Sequence, residues 1–301
     1  MSFPYITDIF SAFFHLHLNL PIPTFGLCVA TAIMLSTWVA RKEIKRQQAL
    51  GMLPIAAQDV FENVIVISVF SGIVGARVFS ILDYPIEFLH DPMSMIFTRS
   101  GLSIYGGLCF GIGTGLLILK RHRIPLIPML DATAPAMILG YAIGRIGCQL
   151  SGDGDWGIAA NMQLKPDWLP TWLWAQTYQG NIAGIILSPP GVYPTPIYET
   201  GMALAAFGLL WYLRSQKNNP GYLFSMYLLL AGFERLLIEK IRVNVRYHLQ
   251  GFAFTQAEAI SFILVMAGLI GILMTLRTRS LLTKGLLVIG ILTALSACTL
   301  H

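Results

Sequence analysis

Arg145 stands where a mostly apolar run, Leu126 to Ile143, gives way to a Gly-rich stretch, GRIGCQLSGDGDWG over residues 144–157. A guanidinium is permanently cationic and presents a planar fork of donors that matches phosphate oxygens. Glycines let the backbone turn tightly and approach a ligand closely. Followed by Ser151, Asp153 and Asp155, the arginine suits the charged head group of a greasy molecule. Taken alone, Arg145 also reads as an arginine snorkelling from a helix end. The two aspartates raise the question of a divalent ion, but an oxygen-ligand site needs more donors than this stretch supplies. No metal and no cofactor is expected.

A second set lies far along the chain. Arg235, Glu239, Arg242 and Arg246 are spaced 4, 3 and 4 residues apart, which places them on one stripe of a helix. Charges in an apolar segment cost a few kcal/mol each, about 2.5–3.5 on insertion scales, and face a protein interior or a wet cavity. The stripe is either an ion-paired seam that docks the helix or the cationic wall of an anion site. The excess of arginines over the single carboxylate favours the wall. Tyr105 sits among glycines in residues 100–108 (SGLSIYGGL), where small residues suit tight helix packing and the phenol suits contact with a cavity. Tyr198 reads as a belt aromatic or a cavity residue. Glu199, inside an apolar boundary, needs a partner, for which an arginine of the site is the simplest choice.

The elements that must position these residues are membrane helices. Of 301 residues 55% are hydrophobic and 12% charged, with mean hydropathy +0.66, whereas soluble domains carry about 25% charged residues. The fold class is therefore all-α, a polytopic integral membrane protein. Seven spans are expected: Ile22 to Ala40, Val60 to Leu82, Leu102 to Leu119, Leu126 to Ile143, Ile197 to Leu213, Gly221 to Ile241 and Phe254 to Leu276. A shorter apolar run over 285–300 reads as an additional C-terminal hydrophobic helix. Residues 1–301 form a single transmembrane domain in this reading, with 151–196 as an outward-facing loop or small head region, too polar to span. No Lys or Arg precedes Arg41 and no small-residue cleavage site follows a short apolar core, so the first segment is expected to stay as an anchor.

The net charge of +5 does not point to nucleic acid. Twelve of the 20 Lys and Arg fall in the four loops after spans one, three, five and seven. By the positive-inside rule those loops are cytoplasmic, and the N-terminus and most of the unusual polar residues lie toward the outer leaflet. Cys28, Cys109, Cys148 and Cys298 are scattered without metal-ligand spacing, so neither a zinc site nor a disulfide framework is indicated.

With those blocks in view, the chain resembles the prolipoprotein diacylglyceryl transferase family of bacterial membranes. The resemblance runs from Thr24 to about Leu276. It rests on the ordered blocks Gly72 to Arg77, Gly101 to Gly107, Gly144 to Gly157, Pro194 to Glu199 and Arg235 to Arg242. It implies a seven-span core with its N-terminus outside, in the bacterial cytoplasmic (inner) membrane, and an active site toward the outer leaflet. The implied reaction moves a diacylglyceryl group from phosphatidylglycerol to the lipobox cysteine thiol of a preprolipoprotein signal peptide, releasing glycerol 1-phosphate. The implied catalytic residues are Arg145, Arg235, Tyr105, Asp153 and Glu239. Those implied to bind substrate are Arg145, Arg235, Arg242, Ser151, Gly157, Phe25, Arg77, Tyr198 and Glu199. The chain departs from the family pattern in having Tyr105 where a histidine is common. Cys148 and Ser151 stand where asparagines are usual, Phe25 replaces a tyrosine, and the signature holds one extra residue, with Asp153 in the place of its glutamate. A phenol is a poor base, so Tyr105 is assigned to orienting the phosphate and Asp153 or Glu239 to accepting the thiol proton. The alternatives are a related membrane transferase with another lipid donor or acceptor, and a non-enzymatic lipid- or anion-binding or transport protein. Against transport, no internal repeat of the kind many transporters carry is visible.

Overall fold

Long apolar runs cross a bilayer only when their backbone groups are satisfied internally, which favours helices. The computed structural model of the protein describes residues 2–15, 22–97, 103–216, 219–249 and 252–276. Among these, five helices are long and apolar enough to cross a membrane: α2 (Thr24–Ala49), α3 (Ala57–Asp83), α6 (Ile104–Arg121), α7 (Leu126–Ser151) and α11 (Gln256–Thr275). Before them comes α1 (Ile6–Phe14), and between them lie α4 (Pro85–His90), α5 (Pro92–Phe97), α8 (Thr171–Trp174), α9 (Thr195–Leu213) and α10 (Tyr222–Glu239). The expected fifth and sixth spans are α9 and α10. They are helical but not among the five, α9 having Glu199 and other polar residues in its first turns and α10 carrying Glu234, Arg235 and Glu239. The expected C-terminal helix over 285–300 lies outside the described residues. One element was not foreseen: a short antiparallel hairpin of β1 (Arg246–Leu249) and β2 (Phe252–Thr255), in register from Arg246 opposite Thr255 to Leu249 opposite Phe252.

The chain divides into two compact units, one drawn from Met1–Ala40 with Asp131–His301 and the other from Arg41–Leu130. In the second unit α3 and α6 meet almost backbone to backbone. A Cβ on Gly106 would stand 2.2 Å from the Gly75 carbonyl oxygen, so larger residues would force the helices apart. Ser71 and Thr114 hydroxyls lie 2.7 Å apart across the same contact. The glycines around Tyr105 therefore serve helix packing.

In the first unit α7, α9 and α10 share a core built from Ile138, Ala142, Ala203, Leu210 and Leu223. Asp131, in α7, is buried. Its two carboxylate oxygens accept the backbone N–H groups of Gly221 and Phe224 at 2.6 and 2.8 Å and so cap the start of α10. At the far end Thr255, the last residue of the hairpin, caps α11 in a reciprocal box with Glu258. The connection from α7 to α9 packs Trp156 against Tyr178, with ring centroids 5.0 Å apart, and against Val192. The N-terminal segment is tied to this head region and to α7 through Ser2 N–H to Gln179 O (2.8 Å) and Phe3 N–H to Leu150 O (2.6 Å).

Candidate functional site

Helix α7 does not stop at Ile143 but continues to Ser151, so Arg145 sits within it rather than in a loop. Gly147 answers a packing demand, since a Cβ there would meet the Cys28 Cβ of α2 at 2.9 Å, whereas a Cβ on Gly144 would meet nothing within 4 Å. The chain leaves the helix at Gly152 with φ of 62°, a left-handed turn that glycine adopts without steric cost. Asp153, Asp155, Trp156 and Gly157 follow.

Gly157 and Ile158 are then gripped on both sides. Gly157 N–H donates to Tyr193 O at 2.9 Å, Tyr193 N–H to Ile158 O at 3.1 Å, and Ile158 N–H to Ile241 O at 2.8 Å. Gly157 and Arg242 thereby form an antiparallel bridge. A Cβ at residue 157 would lie 2.5 Å from the Ile241 carbonyl oxygen, which accounts for glycine there. The helical stripe read from the sequence is therefore incomplete. Helix α10 ends at Glu239, Arg242 follows in a turn fastened to Gly157, and Arg246 belongs to β1.

These backbone constraints bring three guanidiniums to one carboxylate. Glu199, at the start of α9, is 0% exposed. Its Oε2 lies 2.9 Å from Arg145 Nε, and its Oε1 lies 3.2 Å from Arg242 Nη1 and 3.4 Å from Arg235 Nη1. Asp155 closes the other side, with one oxygen paired to Arg145 Nη1 and the other 2.6 Å from Arg242 Nη2. Burial opposes ionisation of Asp155, but the Arg242 and Arg145 guanidiniums outweigh it and hold the carboxyl below its usual range. Arg235 Nη2 also pairs with Glu239 Oε2 at 3.0 Å, and Glu239 Oε1 accepts from Asn244 Nδ2 at 2.6 Å. Three arginines thus face three carboxylates. Glu199 is sealed inside, while the Asp155 side chain keeps 37% of its exposure.

The remaining residues singled out in the sequence are placed as follows. Asp153 is exposed and accepts the Asp155 backbone N–H at 3.2 Å. Ser151 is buried and turns its hydroxyl back onto Gly147 O at 2.9 Å. Phe25 lies beside Gly147 on α2, and Tyr198 donates to Leu173 O at 2.5 Å, joining α9 to α8. Tyr105, half exposed at the start of α6, and Arg77 on α3 belong to the second unit. Cys148 Sγ and the Asp153 and Asp155 carboxylates fall within 4.8 Å of one another. A cation there would face the guanidiniums that already occupy both Asp155 oxygens, so the group does not suit a metal.

Two contributors escaped the sequence reading. Tyr141, four residues before Arg145, lays its ring 5.1 Å from the guanidinium carbon and donates its hydroxyl to Glu234 Oε1 at 3.2 Å. Helical spacing from Arg145 would have found the tyrosine, and the Glu234-Arg235 pair in an apolar helix would have found the acid. One turn beyond Arg145, Gln149 lines a cavity of 510 Å³ with Trp172, Gln176, Pro190 and Ile197.

Comparison with known proteins finds a family match and named relatives. Residues 11–274 match the family described as prolipoprotein diacylglyceryl transferase. A protein of Leptospira interrogans named phosphatidylglycerol–prolipoprotein diacylglyceryl transferase is 28% identical over 267 residues, covering 80% of this chain and 77% of its own. Proteins of the same name from Bacillus cytotoxicus and Bacillus anthracis are each 29% identical over 225 residues, covering 74% of this chain and 78% of theirs.

Proposed function

The chain belongs to the prolipoprotein diacylglyceryl transferase family, and from that premise we propose that it transfers the diacylglyceryl group of phosphatidylglycerol to the lipobox cysteine of a preprolipoprotein. The observation that carries this reading is the convergence of Arg145, Arg235 and Arg242 on one buried carboxylate, with Asp155 bridging two of them. Asp155 offers two oxygens to two guanidiniums, much as a phosphodiester would. The donor phosphate takes those two guanidiniums as Asp155 swings toward solvent, and Glu199 remains to hold the arginines in place.

The chemistry follows from where charge develops. The thiolate of the acceptor attacks the diacylglyceryl carbon that carries the phosphate oxygen. A carbon–sulfur bond forms, the carbon–oxygen bond breaks, and its electron pair leaves on the phosphate, which becomes a monoester with one more negative charge. Guanidiniums already oriented by Glu199 stabilise that charge without reorganising. Arg235, itself held by Glu199 and Glu239, adds a third positive charge. The apolar helices suit a diacyl donor held in the bilayer, with α9 and α10 as two further spans. The Lys and Arg clustered in the loops after spans one, three, five and seven support an N-terminus outside and a site toward the outer leaflet of the bacterial cytoplasmic membrane.

The test is direct. Membranes holding this protein, incubated with labelled phosphatidylglycerol and a lipobox peptide, yield a thioether-linked, labelled peptide and glycerol phosphate. No such product, under conditions where a working relative makes it, refutes the reading. The same assay with other phospholipids and small thiols exposes a relative with a different donor or acceptor.

A further inference from the structure

Three of the carboxylates around the arginines are neutralised where they stand. Asp155 is held by Arg145 and Arg242, Glu199 by all three arginines, and Glu239 by Arg235 and the Asn244 amide. A carboxylate so held is a poor proton acceptor, because protonation forfeits its ion pairs. Glu234 differs. It is 6% exposed, yet among the described residues it makes no ion pair, and its hydrogen bond comes from the Tyr141 hydroxyl at 3.2 Å. Tyr141 in turn lies against the Arg145 guanidinium. One phenol therefore joins an unneutralised acid on α10 to the arginine that grips the phosphate. Around Glu234 the charged groups are Arg145 of α7, Glu199 of α9 and Arg235 of its own helix, with the Tyr227 phenol also near. The only ionisable residue of α11, Glu258, lies 3.7 Å from Lys240 instead.

The plain alternative is a hydrogen-bonded staple between α7 and α10. A neutral amide would serve that purpose without the cost of an acid within an apolar helix. We propose that Glu234, acting through the Tyr141 hydroxyl, is the proton acceptor for the attacking thiol. This rests on the transferase reading above. The thiol proton moves to the Tyr141 oxygen as the phenol proton passes to Glu234. The sulfur electron pair then forms the bond to the glycerol carbon while the phosphate oxygen departs with its own pair. A thiol, a carboxylate and a phosphodiester become a thioether, a carboxylic acid and a phosphomonoester, so protons and charge balance.

The experiment compares wild type, Glu234→Gln and Tyr141→Phe on two lipobox peptides, one with cysteine and one with selenocysteine, whose selenol is already ionised at neutral pH. Glu234→Gln should lose roughly 100-fold with the cysteine peptide, within the range removed with a general base, and should recover to within a few-fold of wild type with the selenocysteine peptide. Tyr141→Phe, which keeps the ring beside Arg145, should behave alike and stands in if Glu234→Gln does not fold. Wild-type turnover of the cysteine peptide by both variants overturns the proposal. So does equal loss with both nucleophiles, the pattern of a structural staple. Failure of the wild type itself with either peptide refutes the transferase reading instead.

Discussion

Gly157 and Arg242 face each other across an antiparallel bridge, and through it the loop after α7 fixes the arginine that follows α10. The bridge leaves no room for a side chain on the glycine, because its Cβ would stand 2.5 Å from the Ile241 carbonyl oxygen. That oxygen is backbone and also accepts the Ile158 N–H, so it cannot give way cheaply.

Gly157→Ala should therefore displace Arg242 rather than unfold the chain. Overpacking of this kind costs about 1–3 kcal/mol, so the melting temperature in detergent should fall by several degrees while transfer falls much further. A variant with wild-type turnover would show that Arg242 need not be held by this bridge.

Arg145 tests the geometry of the cradle rather than its charge. Its Nη1 donates to Asp155 while its Nε lies 2.9 Å from Glu199 Oε2, so one guanidinium spans two carboxylates, a reach that an ammonium cannot copy. Arg145→Lys keeps the charge, and transfer should still drop by roughly 100-fold, the scale of losing one preorganised donor. Turnover near that of wild type, measured with saturating donor, would remove Arg145 from the mechanism.

Much of this was legible from residue type and position. The apolar runs had to be helices, and an arginine or glutamate inside one had to meet a partner, so Arg145, Arg235 and Glu199 could be singled out before any contact was known. Three things were not legible. The end of α10 at Glu239 depends on Arg242 pairing with Gly157, a contact 85 residues away in sequence that no helical spacing encodes. The choice between Asp153 and Asp155 depends on how a Gly-rich turn aims two acids only two residues apart, and the structure aims Asp155 at the arginines. The link from Glu234 to Tyr141 depends on the rotation of α10 against α7, which the common core of Ile138, Ala142 and Leu223 sets.

Glu199→Gln probes the centre of the cluster. The buried carboxylate answers three guanidiniums, so removing its charge leaves positive charge uncompensated in a dry site. Breaking a buried ion pair in this way costs about 3–5 kcal/mol. The variant should melt well below wild type and show no measurable transfer, and added glycerol phosphate should restore part of the melting temperature by supplying an anion to the arginines. A thermal melt equal to that of wild type would mean that the three arginines do not depend on Glu199.

Asp155→Asn separates the exchangeable carboxylate from the permanent one. Asp155 keeps part of its exposure and, in the proposed reading, is the anion that the donor phosphate displaces, so its loss should tighten the hold on glycerol phosphate. Relief of that competition is worth roughly tenfold in affinity if it amounts to about 1.4 kcal/mol, read as the concentration of glycerol phosphate that halves transfer. The dependence of stability on pH has a definite sign. The folded carboxyl titrates below its ordinary value of 3.8, so its contribution is fully present above that pH and is lost only as pH falls through the lower, folded value. The melting difference between wild type and Asp155→Asn should then stay constant from about pH 7 to about pH 5 and close only below the usual carboxylate range. A difference that closes near pH 6 would show that Asp155 is not held by Arg145 and Arg242. An unchanged response to glycerol phosphate would show that the donor phosphate binds without displacing it.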